Sequence, residues 1–194
     1  MFFSLERLLE LSLLSIGIQP VVGNVNSQEN SMGPCLPHGC CHIFCESVSA
    51  TSQGVSFSGV GVTTNGPIRV ISNPQEFNSR INGDAFPPVM SYFQPDKATT
   101  SGMSFVIGQR ERWKQLVADA NFIGIVGVRV RSSDNHIWDA LQNTKAKLVY
   151  CSGQDGGREF LEWKQKVRPA SDDKIFDGYF NESFDGLCAG LNIK

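Results

Sequence analysis

The stretch ANFIGIVGV, from Ala120 to Val128, decides the fold because an apolar run is flanked there by helical patterns on both sides. Phe122–Val128 is apolar along its whole length, which is typical of a strand in a parallel sheet covered by helices on both faces. Before it, apolar residues such as Trp113 and Val117 recur at helical spacing and predict a helix over Gln109–Ala120. We therefore expect Phe122–Val128 to be a buried strand.

The residues that follow continue the alternation of helix and strand. Ser133 or Asp134 is expected to cap a helix containing Ile137 and Leu141. Lys147–Cys151 is the next predicted strand, parallel and adjacent to Phe122–Val128 with a right-handed connection. Gly153–Gly157 is predicted as a loop and Arg158–Val167 as a helix, whereas the polar tail after Arg168 is left unassigned.

Upstream, the patterns are shorter. Leu5–Ile16 has one apolar face at helical spacing, and Gln19–Val25 is a predicted strand. Val55–Val62 and Ile68–Ser72 are β-rich and flank Asn65-Gly66, which predicts a hairpin. Asn73 is expected to cap a helix from Pro74 to Ile81, and Pro87–Phe93 is a further predicted strand. The expected class is α/β, a Rossmann-like parallel sheet with helices on both faces and a small β-hairpin insert.

Composition limits the class of partner. The chain has 194 residues and a net charge of −2, which argues against a nucleic-acid partner. No apolar run reaches the roughly 18–20 residues that span a bilayer, and acidic residues interrupt the leucine-rich start, so a membrane partner and a signal peptide are not expected. The prediction is a cytoplasmic protein whose six cysteines are thiols. The oligomeric state is left open.

Four segments, in order, resemble the sirtuin family of NAD-dependent deacylases and NAD hydrolases. VVGNVNS resembles that family's TQNID segment, LPHGCCHIFC its HGS segment, FPPVMSYFQP its RPxVVFFGE strand and ADANFIGIVGVRV its ADLLLVVGTSL strand. These segments span Val21–Ser27, Leu36–Cys45, Phe86–Pro95 and Ala118–Val130. The family's amino-terminal Gly-rich loop and its paired CxxC zinc ribbon have no counterpart, and residues 54–83 form an insert in the ribbon's place.

The resemblance implies one NAD-binding domain over residues 1–194. It also implies cleavage of the nicotinamide–ribose bond, with water or an acyl-lysine of a protein substrate as acceptor. NAD is the implied cofactor. The implied catalytic residues are His38 and Asn24, and the implied cofactor-binding residues are Asn26, Gly127, Val128, Arg129, Cys151 and Ser152. The alternative is a module that binds NAD or ADP-ribose without turnover.

The side chains suit these roles, although each has a simpler interpretation. An imidazole such as that of His38 accepts protons near neutral pH, and Gly39 allows a sharp turn, but a structural histidine in a cysteine-rich loop fits equally. Asn24 and Asn26 follow a predicted strand, where ligands bind in open α/β sheets, but asparagine also favours turns. We expect Asn24, His38 and Gly127 to meet in one cleft.

Arg129 and the Cys/His segment leave further alternatives. Arg129 and Arg131 suit a phosphate, yet a solvated pair of arginines is an equal interpretation. Thiol and imidazole groups crowd between Cys35 and Cys45, but their spacing fits no standard zinc knuckle, so no metal ligand is assigned. A metal-stabilised interaction protein built on that segment is the third candidate function.

Overall fold

A computed structural model describes residues 35–46, 66–71, 73–84, 86–91 and 101–193. The chain forms two compact units, Met1–Glu111 and Arg112–Lys194, which we call unit 1 and unit 2. The predicted elements Leu5–Ile16, Gln19–Val25 and Val55–Val62 lie outside the described residues. Within the described ranges, no helix is both long enough and apolar enough to cross a membrane.

A two-stranded antiparallel sheet forms the centre of unit 1. Strand β1 (Ile43–Cys45) pairs with strand β2 (Ile68–Val70), so that Phe44 lies opposite Arg69. The hairpin predicted between Val55–Val62 and Ile68–Ser72 stays a prediction, because Val55–Val62 lies outside the described residues. Strand β2 pairs with β1, and apolar side chains of both strands belong to one buried cluster with Val89 and Val106.

Helix α1 (Pro74–Gly83) begins where the sequence predicts. The Asn73 side chain accepts hydrogen bonds from the backbone N–H groups of Gln75 and Glu76, and Pro74 occupies the first turn. This satisfies N–H groups that a helix start leaves without partners, which is why the boundary was predictable. The predicted strand Pro87–Phe93 is wrong for its described part, which contributes an isolated bridge between Met90 and Gly39.

Helix α2 (Met103–Asp119) starts earlier than the predicted Gln109 and leads into the sheet of unit 2. That sheet has three parallel strands in the order β3-β4-β5, with the bounds Phe122–Val126, Lys147–Cys151 and Lys174–Phe176. The predicted parallel pairing of the first two strands is confirmed, with Phe122 opposite Lys147. The third strand lies in the tail that the sequence left unassigned.

Three helices accompany this sheet. A 3-10 turn (Ser132–Asp134) precedes α3 (Asn135–Asn143), α4 is Gly153–Val167 and α5 is Phe180–Gly190. Asp134 lies at the amino-terminal cap of α3, but its side chain does not make the predicted capping bond. The predicted loop Gly153–Gly157 is wrong, because it forms the first turns of α4.

Alternate side chains of β4 pack on opposite faces of the sheet. Leu148 and Tyr150 join a cluster with Trp138 of α3 and Phe160 of α4. On the other face, Val149 and Cys151 pack with Leu187 of α5, Phe176 and Leu191. Strand β3 is less buried than predicted, with Phe122 39% and Val126 43% exposed, because it is the first strand in the described order.

A buried ion pair joins Arg168, at the end of α4, to Asp173, the residue before β5. The Arg168 guanidinium pairs with Asp173 at 2.9 Å and donates to the carbonyl groups of Leu141, Thr144 and Ala146. Asp173 in turn accepts from the backbone N–H of Leu148 and from the Ser171 hydroxyl. This network holds the amino end of β4 in place.

Candidate functional site

In unit 2, the carboxyl ends of β3 and β4 bring together all the predicted cofactor-binding residues that the structure describes. Val126 pairs with Cys151, and the Gly127 N–H donates to the Cys151 carbonyl at 2.9 Å. Gly127, Val128 and Arg129 therefore follow one strand, beside Cys151 and Ser152 at the end of the next. In open α/β sheets, ligands bind at this edge.

Gly127 turns the chain away from the sheet. Its φ of 69° is in the left-handed region, which strains any residue with a side chain. A Cβ at this position would have no atom of the described residues within 4 Å. The glycine is therefore required by the backbone turn, and the space beside it is open to a ligand.

Tyr150, which the sequence analysis missed, fixes the segment after β3. Its hydroxyl donates to the Val128 carbonyl at 2.6 Å, and its ring stacks on Phe160 with 4.1 Å between centroids. Burial raises the pKa of this phenol, so the hydroxyl stays protonated as a donor at neutral pH. The available signal was a phenol inside an otherwise apolar strand, because a buried hydroxyl needs a partner.

Arg129 is bound to Glu159 of α4. Its Nε donates to the carboxylate at 2.7 Å and its Nη2 donates to the other carboxylate oxygen. The hydrogen bonds from Arg129 lower the pKa of Glu159, and the same contacts raise that of Arg129. A phosphate at Arg129 would have to share the guanidinium with Glu159 or displace that carboxylate.

The start of α4 lies beside the end of β4. The Cys151 thiol donates to the Gly178 carbonyl at 3.3 Å, and the Gly153 N–H donates to the same oxygen at 3.2 Å. Cys151 is 1% exposed, so its side chain supports the sheet, whereas Ser152 precedes the helix and is half-buried. Of these neighbouring residues, Ser152 is the better placed to contact a ligand.

In unit 1, His38 lies in a turn fixed by the backbone. The His38 carbonyl accepts from the Ser91 N–H at 2.8 Å. Gly39 has a φ of 73°, and a Cβ there would lie 2.0 Å from the Val89 carbonyl oxygen. The expectation that Gly39 permits a sharp turn is confirmed. Arg110 strengthens the turn by donating to the Pro37 carbonyl and the Ser91 hydroxyl, both at 3.0 Å.

The turn that follows gathers three side chains of the Cys/His segment. The nearest ligand atoms of Cys40, Cys41 and His42 all lie within 4.8 Å of one another. Hydrogen bonds from Cys40 and then His42 lower the pKa of the Cys41 thiol from 9.0 to about 5. The other two thiols of the segment contact different groups: Cys35 donates to the Gln109 carbonyl and Cys45 accepts from the Ser101 hydroxyl.

Two predicted site residues, Asn24 and Asn26, lie outside the described residues. His38 belongs to unit 1 and Gly127 to unit 2, so the predicted cleft of Asn24, His38 and Gly127 stays a prediction. Two clefts among the described residues are lined by other side chains. In unit 1, a cleft of about 560 Å³ includes Arg80 and Ser101, and in unit 2 one of about 540 Å³ includes Val117 and His136.

Comparison with known proteins gives no relative: no protein-family model, curated protein or solved structure matches this chain.

Proposed function

We propose that this chain is a sirtuin-like, NAD-utilising protein with a Rossmann-like sheet in unit 2. NAD binds at the carboxyl ends of β3 and β4, and the bond between its nicotinamide and ribose is cleaved with water or an acyl-lysine as acceptor. The observation that carries the proposal is the open turn at Gly127. It lies between two parallel strand ends and beside the start of α4.

Physical chemistry supports this position for a dinucleotide. The first N–H groups of a helix point outward and favour a negative charge such as a phosphate. A residue without a side chain at Gly127 leaves room for a ligand to approach the backbone closely. Val128 and Ser152 line the same edge, and Arg129 supplies a guanidinium that is 35% exposed despite its pairing with Glu159.

Turnover is assigned to His38, which accepts a proton from the attacking water or from a ribose hydroxyl. The Gly39 turn holds the backbone on one side of this residue, which supports a fixed imidazole position. Asn24 orients the water or sugar, and Asn26 meets the carboxamide of nicotinamide. The strand ends of unit 2 supply most of the proposed binding contacts, whereas turnover also needs His38.

This separation defines the experiment. The full chain is titrated calorimetrically with NAD and with ADP-ribose, and nicotinamide release is followed with and without an acylated peptide. We expect His38→Ala to keep NAD affinity while nicotinamide release falls by about 10²–10⁴-fold, the usual contribution of a general base. Equal release by wild type and His38→Ala would disprove the assignment of His38.

Gly127→Asn tests the binding site. Of the residues with a side chain, asparagine is among those least strained at a positive φ, so this variant disturbs the turn least while its side chain fills the open space. We expect NAD affinity to fall by about tenfold or more, roughly 1.4 kcal/mol or more of binding free energy. Gly83→Asn is the matched control, because a side chain there also enters open space but lies in unit 1. Equal affinity for all three proteins would contradict the proposed site.

The second candidate is a module that binds NAD or ADP-ribose without turnover. The pairing of Arg129 with Glu159 favours this second candidate. A ligand that binds Arg129 must compete with the Glu159 carboxylate for the guanidinium, and such an exchange provides a route to reversible sensing. NAD binding without nicotinamide release from the wild type would select this candidate. The absence of both would overturn the proposal.

A further inference from the structure

The turn from Cys40 to Ile43 in unit 1 places three metal-ligating side chains together. The Ile43 N–H donates to the Cys40 carbonyl at 3.2 Å, which closes a four-residue turn. Cys40 Sγ and His42 Nδ1 lie 2.9 Å apart in a hydrogen bond, and Cys41 Sγ is within 4.8 Å of both ligand atoms. Ligand atoms around one zinc ion, at bonds of about 2.0–2.3 Å, lie about 3.5–3.8 Å apart. Small side-chain rotations therefore suffice to surround an ion.

Backbone contacts on both sides hold this turn. The Cys40 N–H donates to the Val89 carbonyl and the Ile71 N–H donates to the His42 carbonyl, each at 2.8 Å. Gly39, directly before the turn, approaches Val89 so closely that no side chain fits. A ligand set on such a fixed backbone loses little conformational entropy when it binds an ion.

Burial gives the site a closed side and an open side. Cys40 is 1% and His42 is 4% exposed, whereas Cys41 is half-buried. An ion therefore has a route to the turn past Cys41. Two thiolates and one imidazole are the ligands that thiophilic ions such as Zn²⁺ and Cu⁺ prefer over Mg²⁺ or Ca²⁺.

From this geometry we infer that Cys40, Cys41 and His42 bind one thiophilic metal ion, with one coordination position left open. All the other cysteine and histidine residues of the sequence lie among the described residues, and none of them joins this group. The open coordination position of the ion is therefore filled by water, by another oxygen ligand or by an exogenous ligand. Both cysteines bind the ion as thiolates, because thiolate is the form that ligates metal. This inference is independent of NAD binding in unit 2.

The test uses the full chain, stripped of metal by a chelator under reducing conditions. Zn²⁺ alone, Cu⁺ alone and Mg²⁺ alone are titrated in competition with a chromophoric chelator, and Co²⁺ is used for the thiolate-to-metal absorption band. We expect one Zn²⁺ or Cu⁺ per chain, no competition from Mg²⁺, and protection of Cys41 from alkylation by the bound ion. The titration arm with the tighter binding identifies the ion.

Three variants decide the outcome. Cys41→Ser changes a half-buried thiol and should keep the fold, while the metal affinity falls by about tenfold or more, since even the loss of an outer-shell partner costs 10–100-fold. His42→Gln should also lower the metal affinity by about tenfold or more. Circular dichroism verifies that this variant is folded. Cys188→Ser, a half-buried thiol in α5, is the control and should bind like wild type. The inference is overturned if the wild type binds neither Zn²⁺ nor Cu⁺ stoichiometrically, or if Cys188→Ser and Cys41→Ser lose equal affinity.

Discussion

At the scale of single residues, the burial of Arg168 could not be predicted from the sequence. Arg168 ends the predicted helix Arg158–Val167 and has the composition of a solvent-exposed helix end, yet its side chain is 7% exposed. Its carbonyl partners, in Leu141–Ala146, lie 22 to 27 residues earlier in the chain, so no local pattern predicts them. Its ionic partner Asp173 is only five residues away, but it lies in the polar tail that the sequence left unassigned. A guanidinium buried at this depth is stable only with paired charge and satisfied donors.

We expect Arg168→Met to lower the free energy of unfolding by about 3–5 kcal/mol, because it leaves the buried Asp173 carboxylate without its cation. Urea unfolding monitored by circular dichroism measures the loss. Arg158→Met is the matched control, since its pair with Asp155 is 68% and 67% exposed and such pairs contribute about 0–1 kcal/mol. Similar losses in the two variants would show that burial of the Arg168 pair contributes nothing.

The same ion pair makes stability depend on pH. Burial raises the pKa of Asp173, but hydrogen bonds from Arg168, Ser171 and the Leu148 N–H outweigh burial and hold the pKa below 3.8. A carboxyl with a lowered folded-state pKa stabilises the protein above its unfolded pKa, and this stability is lost as pH falls through the folded pKa. We expect Asp173→Asn to be less stable than wild type at pH 7.

The difference in unfolding free energy between wild type and Asp173→Asn should become smaller as pH falls below the ordinary carboxyl pKa. Urea midpoints measured across a pH series test this. Asp172→Asn provides the comparison, because that carboxylate is 89% exposed and should give a smaller difference throughout. A difference between wild type and Asp173→Asn that stays constant with pH would contradict the assignment.

At the scale of elements, the sequence succeeded where local signals agree with tertiary packing. The bounds of β4, Lys147–Cys151, were predicted correctly because an apolar run is bounded by polar and glycine residues. The prediction from the sequence was wrong at Gly153–Gly157, where the glycines indicated a loop. The structure uses Gly153 for a positive φ at the helix start, and Gly156 and Gly157 are buried in the first turns of α4.

The short strands also could not be predicted from the local sequence. The Lys174–Phe176 strand is three residues long and exists because it pairs with β4, while Ile43–Cys45 is held by Ile68–Val70. Such pairing is a property of distant segments, so propensity within one segment does not reveal it. For the candidate site, the sequence placed Gly127 near the end of one strand and Cys151 at the end of the next. The first strand ends at Val126 and not at the predicted Val128, because the chain turns at Gly127. The contacts of Tyr150 and Glu159 around these ends were not predicted.

Two glycines in helices should respond to alanine in opposite directions. A Cβ at Gly156 would lie 2.7 Å from Ser152 Cβ and 3.2 Å from the Tyr150 hydroxyl, so Gly156→Ala should destabilise the protein by about 1–3 kcal/mol. Gly108→Ala in α2 meets no described atom within 4 Å and should stabilise it by about 0.5–1 kcal/mol. Thermal unfolding of both variants measures the signs. A stabilising Gly156→Ala would refute the close packing of α4 on Tyr150.

At the scale of the whole molecule, all six cysteines lie among the described residues and none forms a disulfide. We expect the intact mass of the protein, denatured and alkylated without reductant, to show six labelled thiols. Prior reduction should leave this mass unchanged, which is the control. A quantitative disulfide among Cys35, Cys40, Cys41 and Cys45 would contradict both the thiol assignment and the inferred metal site.

The two-sided covering of β4 has a consequence for biosynthesis. The face of Val149 and Cys151 is buried by Leu187 of α5, which the ribosome adds after the whole of α4 and β5. At about 5–20 residues per second, the nascent chain carries that apolar face uncovered for a time on the order of seconds. During this interval the growing polypeptide presents a natural binding site for a chaperone. Slow codons before α5 would lengthen the vulnerable period, and codons decoded faster would shorten it.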